Sequence, residues 1–446
     1  MLVNVSENVP QGLKPRLYAP VAARLKPCPF KARFMQPALF AFCLLASAAL
    51  TAQQIPGATE LPSKPFFIKK TWFIGGVGNW DYLTLDPAAQ RLFIAHSTQV
   101  QVVDVTTGAV AGTIGGFRGA HAIALDDSGE FGYVSDGPAD QVKVFDRRSL
   151  QVVASIPTGP APRALVFEPQ SRLLFAICTN PLPPDAAGTN PSGNQASRPA
   201  NNTASPVRNP QPAPSVEIKT SITVIDTQTR QPLAQILMPG RLGFARANGH
   251  GQVFINIVNR NQIARLDAQS LGAMLRNRPS AVLDWSHESR PAQSSENSLR
   301  LFSLGPDCPE PSALAADGPH ARIFVACNNM KMAILNADTG EALASLPTGP
   351  GTDAIGFDSG HGLIYSANGG ADGSLTVIRQ DVADSYAVVQ VLPTRQRART
   401  LAVNSSAGEV YLVTDYLGVN LAQPGGIGTL QTAPVSGSFQ VLVIGN

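Results

Sequence analysis

Apolar and polar residues alternate along this chain in short segments, a period that predicts β-strands rather than helices. A strand that ends in Asp, Glu or Asn recurs seven times, and a short polar turn then leads into a second strand centred on an aromatic residue. The first strands are Asp81–Asp86, His121–Asp126, Arg163–Glu168, Gly243–Asn248, Ser312–Asp317, Asp353–Asp358 and Arg399–Asn404. The aromatic residues are Phe93, Tyr133, Phe175, Phe254, Phe324, Tyr365 and Tyr411. Third and fourth strands follow, and four short strands per unit are typical of a propeller blade.

The spacing of the repeats indicates seven units of similar size with insertions. The last residues of the seven first strands are 40, 42, 80, 69, 41 and 46 residues apart, so two intervals are too long. Residues 179–216 are rich in Pro and Asn, which predicts a disordered insertion. The polar stretch 286–307 predicts a long loop between two blades, and the Gly/Pro-rich stretch 416–437 predicts another long loop.

The two ends of the repeat region predict a closed ring. The seventh unit ends with its third strand, Phe439–Ile444, and the apolar strand Phe66–Ile74 precedes the first unit. We expect this N-terminal strand to complete the last blade, since closure removes an exposed sheet edge. The sequence therefore predicts an all-β protein, a seven-bladed β-propeller of four-stranded antiparallel blades, in a single domain over residues 53–446.

Several stretches of the repeats resemble a known family, the YVTN-repeat propellers similar to YncE. The resemblance depends on Trp80–Asp86, Gln101–Asp104, Pro347-Thr348-Gly349 and Ala398–Leu401, and it extends from about Phe73 to the C-terminus. It implies an exported, seven-bladed protein, mostly without an assigned activity in the family, although some members carry a DNA-binding label. The resemblance supplies no catalytic residues.

The first 52 residues have the features of a secretory signal peptide, with Met1 or Met35 as the start. Six basic residues precede an apolar run from Pro37 to Leu50, and small residues follow it. We therefore expect a periplasmic or secreted protein without a membrane span after the leader. Removing six basic residues and one acidic residue from totals of 34 and 31 leaves 28 and 30, a net charge of −2. This balance gives no support for nucleic-acid binding.

Six polar residues and Gly243 begin the seven first strands, which should line the central channel. We expect these residues to surround its mouth, together with three residues near the ends of second strands. The candidate binding residues are Asp81, His121, Arg163, Ser312, Asp353, Arg399, His96, Asp136 and Asn368. Such a mouth suits a protein, a peptide or a small polar ligand. The alternative interpretation is that these side chains pair between neighbouring blades and stiffen the ring. No metal site and no cofactor are predicted.

Cys308 and Cys327 are the cysteines most suited to pair. One precedes the first strand of its blade and the other ends the second strand, so both should reach one face of the propeller. In an exported protein this placement predicts a disulfide. Cys178 occupies the matching position of another blade and is expected to be buried.

The sequence favours binding over catalysis, and no catalytic residue is assigned. The chain contains no Gly-x-Ser-x-Gly, Cys-x-x-Cys-His or His-Glu-x-x-His motif. One alternative is a propeller enzyme at the channel mouth, either a lactonase-like hydrolase or a cofactor-dependent oxidoreductase. Another alternative is DNA binding, for which Arg395, Arg397 and Arg399 form a small basic cluster. No tryptophan lies near that cluster in sequence.

Overall fold

The structure, a computed structural model, describes residues 64–76, 78–180, 218–286, 298–382, 384–419 and 432–446. These residues form seven four-stranded antiparallel blades in a ring, so the predicted seven-bladed β-propeller is confirmed. The leader predicted at 1–52 lies outside the described residues. So do most of the insertion predicted at 179–216 and parts of the stretches 286–307 and 416–437. No helix in the described part of the chain is long and apolar enough to cross a bilayer.

The blades follow one another along the chain, with the first strand of each on the channel. An N-terminal strand, β1 (Phe67–Phe73), precedes blade 1. Blade 1 contains β2 (Trp80–Asp86), β3 (Arg91–His96), β4 (Gln99–Asp104) and β5 (Val110–Ile114). Blade 2 contains β6 (Ala120–Leu125), β7 (Phe131–Asp136), β8 (Gln141–Asp146) and β9 (Val152–Pro157). Blade 3 contains β10 (Pro162–Glu168), β11 (Leu173–Cys178), β12 (Lys219–Asp226) and β13 (Gln231–Pro239).

The remaining blades have the same order, with additions in blades 4 and 7. Blade 4 contains β14 (Leu242–Ala247), β15 (Gln252–Ile257), β16 (Gln262–Asp267) and β18 (Leu299–Ser303), and α1 (Ala268–Arg276) and β17 (Ala281–Asp284) lie between β16 and β18 in the chain. Blade 5 contains β19 (Ala313–Asp317), β20 (Arg322–Cys327), β21 (Lys331–Asn336) and β22 (Ala342–Pro347). Blade 6 contains β23 (Thr352–Asp358), β24 (Leu363–Asn368), β25 (Ser374–Val382) and β26 (Ser385–Pro393). Blade 7 contains β27 (Leu401–Asn404), β28 (Glu409–Thr414), the short hairpin β29 (Leu417–Val419) and β30 (Thr432–Pro434), and β31 (Gln440–Gly445). The 3₁₀ turns Gly137–Ala139 and Val258–Arg260 join second and third strands.

The recurring Asp, Glu or Asn at the end of each first strand stabilises the hairpin that follows. In every blade its side-chain oxygen accepts a hydrogen bond from a backbone N–H two or three residues further on. Short polar side chains stabilise turns in this way because they satisfy amides that have no strand partner. The periodic signal in the sequence is therefore a turn signal, and it marks one face of the ring, named here the hairpin face.

The hydrophobic core lies between blades rather than inside any one of them. Seven apolar clusters are present, and each joins residues of two adjacent blades. The aromatic residue of every second strand is buried at such an interface, with an exposed fraction of at most 1%. Because each blade is covered only by its neighbours, the core is complete only when the ring is closed.

Strand β1 closes the ring, as predicted from the two ends of the repeat region. It pairs antiparallel with β31, so blade 7 has the strand order β1-β31-β28-β27. The strand also contacts both neighbouring blades. The backbone of Phe66 exchanges two hydrogen bonds with the Gln390 side chain of blade 6. The Trp72 indole stacks on Tyr411 with ring centroids 5.8 Å apart and packs against Gly108 of blade 1.

The extra residues near 286–307 are placed differently from the expectation. They were assigned to a blade-to-blade connection, but Leu299–Ser303 pairs with β16 as the fourth strand of blade 4. The additional length therefore lies between the third and fourth strands, on the hairpin face. It includes α1, and it includes β17, which adds a fifth, parallel strand to blade 3. Over so few residues, the apolar spacing of a strand cannot be distinguished from that of a short helix, so the sequence pattern alone did not locate this fourth strand.

Cys308 and Cys327 form the predicted disulfide, with Cα atoms 4.8 Å apart. The bridge ties the segment before β19 to the end of β20. Cys178 is a free, buried cysteine, as expected. Burial raises the pKa of its thiol to about 11, so it is protonated and unreactive at neutral pH.

Ring closure by β1 predicts unequal effects of two neighbouring substitutions. Trp72→Ala should lower the free energy of unfolding by about 2 kcal/mol, because it removes a half-buried aromatic ring from the closing interface. Phe73→Ala is the matched control, since its ring is 64% exposed, and it should change stability by less than about 0.5 kcal/mol. Denaturant unfolding of both variants measures the difference. Equal effects would contradict this account of closure.

Candidate functional site: the channel mouth

The channel mouth is shaped by a β-bulge that recurs where the first strands begin. In blades 1, 2, 3, 4 and 6 the pairing of the first and second strands shifts by one residue at this position. A bulge opposes two residues to one and turns their side chains away from the regular alternation. The shifts occur at 81–82, 121–122, 163, 243–244 and 353. Five of the seven first positions, those of blades 1, 2, 3, 4 and 6, therefore lie in bulges.

The structure brings all seven first positions to one opening. Asp81, His121, Arg163, Gly243, Ser312, Asp353 and Arg399 line a single cavity of about 240 Å³, together with Tyr82, Ala164, Thr179 and Phe244. A groove of about 490 Å³ extends outward from this mouth over blades 1, 2 and 3. The face that carries the mouth is named here the mouth face. The mouth is polar, and most of the residues that line the channel below it are of apolar type.

Three side chains from consecutive blades form a chain of contacts on one side of the mouth. Asp81 Oδ2 lies 2.9 Å from His121 Nε2. Arg163 Nη1 lies 3.5 Å from the same nitrogen. Nε2 can form a hydrogen bond with only one of these partners at a time. It donates to Asp81 when it carries a proton, and it accepts from Arg163 when it does not carry one. Arg163 has no carboxylate partner among the described residues.

On the other side of the mouth, a second pair joins blades 6 and 7. Arg399 Nε lies 3.0 Å from Asp353 Oδ2. Burial raises the pKa of Asp353, and the guanidinium of Arg399 opposes that rise. Ser312 of blade 5 also donates a hydrogen bond of 2.8 Å to the backbone carbonyl of Thr352 in blade 6. Inter-blade pairing is thus present at the mouth, and it holds the polar groups in fixed positions around the opening.

Three functional candidates were missed because they are not at the first position of a strand. Tyr82 and Phe244 occupy bulges beside Asp81 and Gly243, and their rings lie 5.2 Å apart across the channel. Arg246 follows two residues after Phe244 and therefore faces the channel as well. Burial raises the pKa of Tyr82 well above its usual range, and Asp353 and Asp81 add to that rise. A polar residue inside an otherwise apolar channel strand was the signal that could have revealed Arg246.

The structure does not place His96, Asp136 and Asn368 at the mouth. Each is buried at the end of its second strand, with an exposed fraction of at most 1%. His96 Nδ1 bonds to Gln101 at 2.7 Å, and Asp136 accepts hydrogen bonds from the backbone N–H groups of Arg118 and Gly119. Asn368 bonds to threonine and serine side chains of its own blade. These residues fix the connections between strands, and they were assigned to the opening because strand ends alone do not show which side chains face inward.

The small arginine cluster is engaged with the protein itself. Arg397 makes two hydrogen bonds of 2.9 Å with Asp415 and covers the indole of Trp80, with the guanidinium 4.4 Å from the ring. Arg395 lies 4.6 Å from the Tyr416 ring, and Arg399 pairs with Asp353 at the mouth. The fold therefore brings a tryptophan next to the cluster, although the sequence separates them. Trp80 is 3% exposed, so it offers no stacking surface.

Two long connections reach the mouth face. One joins β11 to β12 and the other joins β28 to β31, and both connect second to third strands. Their central parts lie outside the described residues. Within the described ranges, no group of three or more His, Cys, Asp and Glu side chains is arranged to hold a metal ion.

Comparison with known proteins identifies the fold and not the family. No family model and no curated protein sequence matches the chain. The solved structure described as "Structure of U3-55K" matches with a TM-score of 0.56 at 10% identity, covering 84% of this chain and 97% of that chain. "Crystal structure of RRP9 WD40 repeats" matches with a TM-score of 0.54 at 10% identity, over 83% and 96%. A chain of "Crystal Structure of Mitotic Checkpoint Complex" matches with a TM-score of 0.52 at 13% identity, over 85% and 96%. The protein is a seven-bladed propeller with WD40-repeat structural neighbours.

The Asp353–Arg399 pair at the mouth predicts that Arg399→Met changes the stability of the protein in a pH-dependent way. Removal of the guanidinium leaves burial and Asp81 to raise the pKa of Asp353 further. A carboxyl group with a folded-state pKa above its unfolded value binds more protons in the folded state, so stability falls as the pH rises above about 4. We expect a loss of about 1 kcal/mol at neutral pH, since both side chains are partly exposed.

Unfolding at pH 4 and pH 7 measures this effect. The double variant Asp353→Asn/Arg399→Met should lose the additional pH dependence, because the titrating group is gone. If the stability of Arg399→Met depends on pH in the same way as that of the unmodified protein, Arg399 does not influence the titration of Asp353.

Proposed function

We propose that the protein is an exported binding protein of the YVTN-repeat, YncE-like type, which holds a polar ligand at the channel mouth. The observation that carries this proposal is the convergence of all seven first positions on one opening. Rigid scaffolds that present polar groups around a concave opening are typical binding sites. The ligand class includes small polar molecules and the ends of peptides.

The arrangement of charges at the mouth supports binding. Neighbouring blades supply partners for Asp81, His121, Asp353 and Arg399, whereas Arg163 has no carboxylate partner among the residues that the structure describes. A positioned cation beside two fixed carboxylates selects a ligand by its charge pattern, because an unmatched charge loses affinity. Preorganisation also lowers the entropy cost of binding.

The two alternatives have less support. The Asp81–His121 pair resembles the carboxylate and the imidazole of a proton-transfer site. However, no Ser, Cys or Thr nucleophile bonds to His121 in the described structure. DNA binding needs free cations along a groove with exposed aromatic rings. The arginine cluster at 395–399 is instead paired internally or stacked on aromatic side chains.

Export is supported by the leader pattern and by the disulfide, since disulfides persist in oxidising compartments. We expect protein isolated from its producing cells to lack about the first 52 residues and to contain the Cys308–Cys327 bond. Thiol blocking during lysis, followed by mass spectrometry of the intact chain and of its peptides, tests both points. Cys178 is the internal control, because it should become modified only after unfolding. An uncleaved leader with reduced Cys308 and Cys327 would refute export.

Binding at the mouth is tested by thermal shift with panels of polar metabolites and short peptides. We expect at least one ligand to stabilise the protein. Arg163→Met should weaken the affinity for that ligand by about tenfold, because it removes one charge-assisted hydrogen bond. Arg172→Met is the matched control, since Arg172 is exposed on the hairpin face of the same blade. A ligand that binds both variants equally would place the site elsewhere.

A further inference from the structure

The central channel contains an isolated positive charge. Two cavities of about 240 and 300 Å³ lie along the channel, and Arg246 lines both. The other residues that line them are apolar or uncharged. Their lining combines apolar side chains with Thr84 and, in the upper cavity, Tyr82, and concave spaces of this mixed kind are typical of sites for small molecules.

The Arg246 side chain has no hydrogen bond and no carboxylate partner among the described residues. Its guanidinium lies 5.4 Å from the Phe244 ring, and Tyr82 also acts on its charge. The side chain is exposed to water within the channel. The surrounding protein lowers the pKa of its guanidinium by desolvation. The charge is therefore accessible to an anion that enters the channel.

One route from solvent to Arg246 passes the mouth. Tyr82 and Phe244 line both the mouth and the upper channel cavity, so the two spaces adjoin. The mouth carries Arg163 and Arg399 together with the carboxylates of Asp81 and Asp353. Arg246 therefore leaves this route with an excess of positive charge, which attracts small anions because low-dielectric walls focus the field.

We propose that Arg246 binds the carboxylate of an organic anion whose apolar body lies against Tyr82 and Phe244. This inference rests on the proposed function and names the ligand class of the same site. A planar guanidinium matches a carboxylate in a bidentate geometry, which favours carboxylate over a bare halide. The Tyr82 and Phe244 rings favour an organic body over inorganic phosphate, which usually needs several donors.

Two sources could supply that carboxylate, a free organic acid and the C-terminus of a peptide. Isothermal titration of the full chain distinguishes them with two pairs of probes. One pair is phenylacetate and its neutral amide, and the other is a tetrapeptide ending in Phe with a free or an amidated C-terminus. We expect one carboxylate probe to bind at least about tenfold more tightly than its amide.

The variant Arg246→Met should weaken that carboxylate by about tenfold or more and leave the amide unchanged. Arg246→Lys should show an intermediate affinity, because it keeps the charge and loses the bidentate geometry. The thermal midpoint of Arg246→Met should stay close to that of the unmodified protein, since the side chain is exposed and has no carboxylate partner among the described residues. Arg172→Met serves again as the distant control.

Each outcome decides the proposal. Equal carboxylate affinity in Arg246→Met and the unmodified protein would overturn it, as would no binding by either carboxylate probe at millimolar concentration. A polar ligand that depends on Arg163 but not on Arg246 would preserve the proposed function and overturn this inference alone. The absence of any ligand at either position would overturn both.

Discussion

The structure depends on one constraint, which is that a four-stranded blade can cover neither of its faces by itself. Every apolar cluster spans two blades, and a missing neighbour would expose two of them. The pairing of β1 with β31 satisfies this constraint where the two ends of the chain meet. Trp72 and Phe66 extend this closure into blades 1 and 6, so one strand stabilises three blades.

The channel mouth follows from the same closure. Once the ring is complete, the first strands converge, and bulges at the starts of five of them turn side chains into the opening. Neighbouring blades then pair these residues, as Asp81 with His121 and Asp353 with Arg399. The same residues that join the blades also fix the chemistry of the opening, so structural and binding roles are compatible here. Arg163 and Arg246 carry the binding proposals because neither has a carboxylate partner in the described structure.

The fold was predictable because its signals are local. The turn residue that ends each first strand and the aromatic residue of each second strand recur at fixed intervals, and these signals located seven blades and the closing strand. Which side chains point into the channel was harder to predict, because it depends on bulges that shift the alternation of inward and outward residues along a strand. His96, Asp136 and Asn368 were therefore placed at the mouth although they are buried, and Arg246 was overlooked. The helix α1 and the parallel strand β17 depend on packing against blades 3 and 4, which no local pattern reveals.

The central claim is that closure by β1 is part of the cooperative unit that forms the mouth. Native-state hydrogen exchange of backbone amides measures this most directly, since exchange reports the free energy of the opening that exposes each amide. The account predicts that the paired amides of β1 exchange with the same opening free energy as those of β31 and of the mouth strands β2 and β27. Exchange of β1 through a separate opening of much lower free energy, with β2 and β27 still protected, would contradict it.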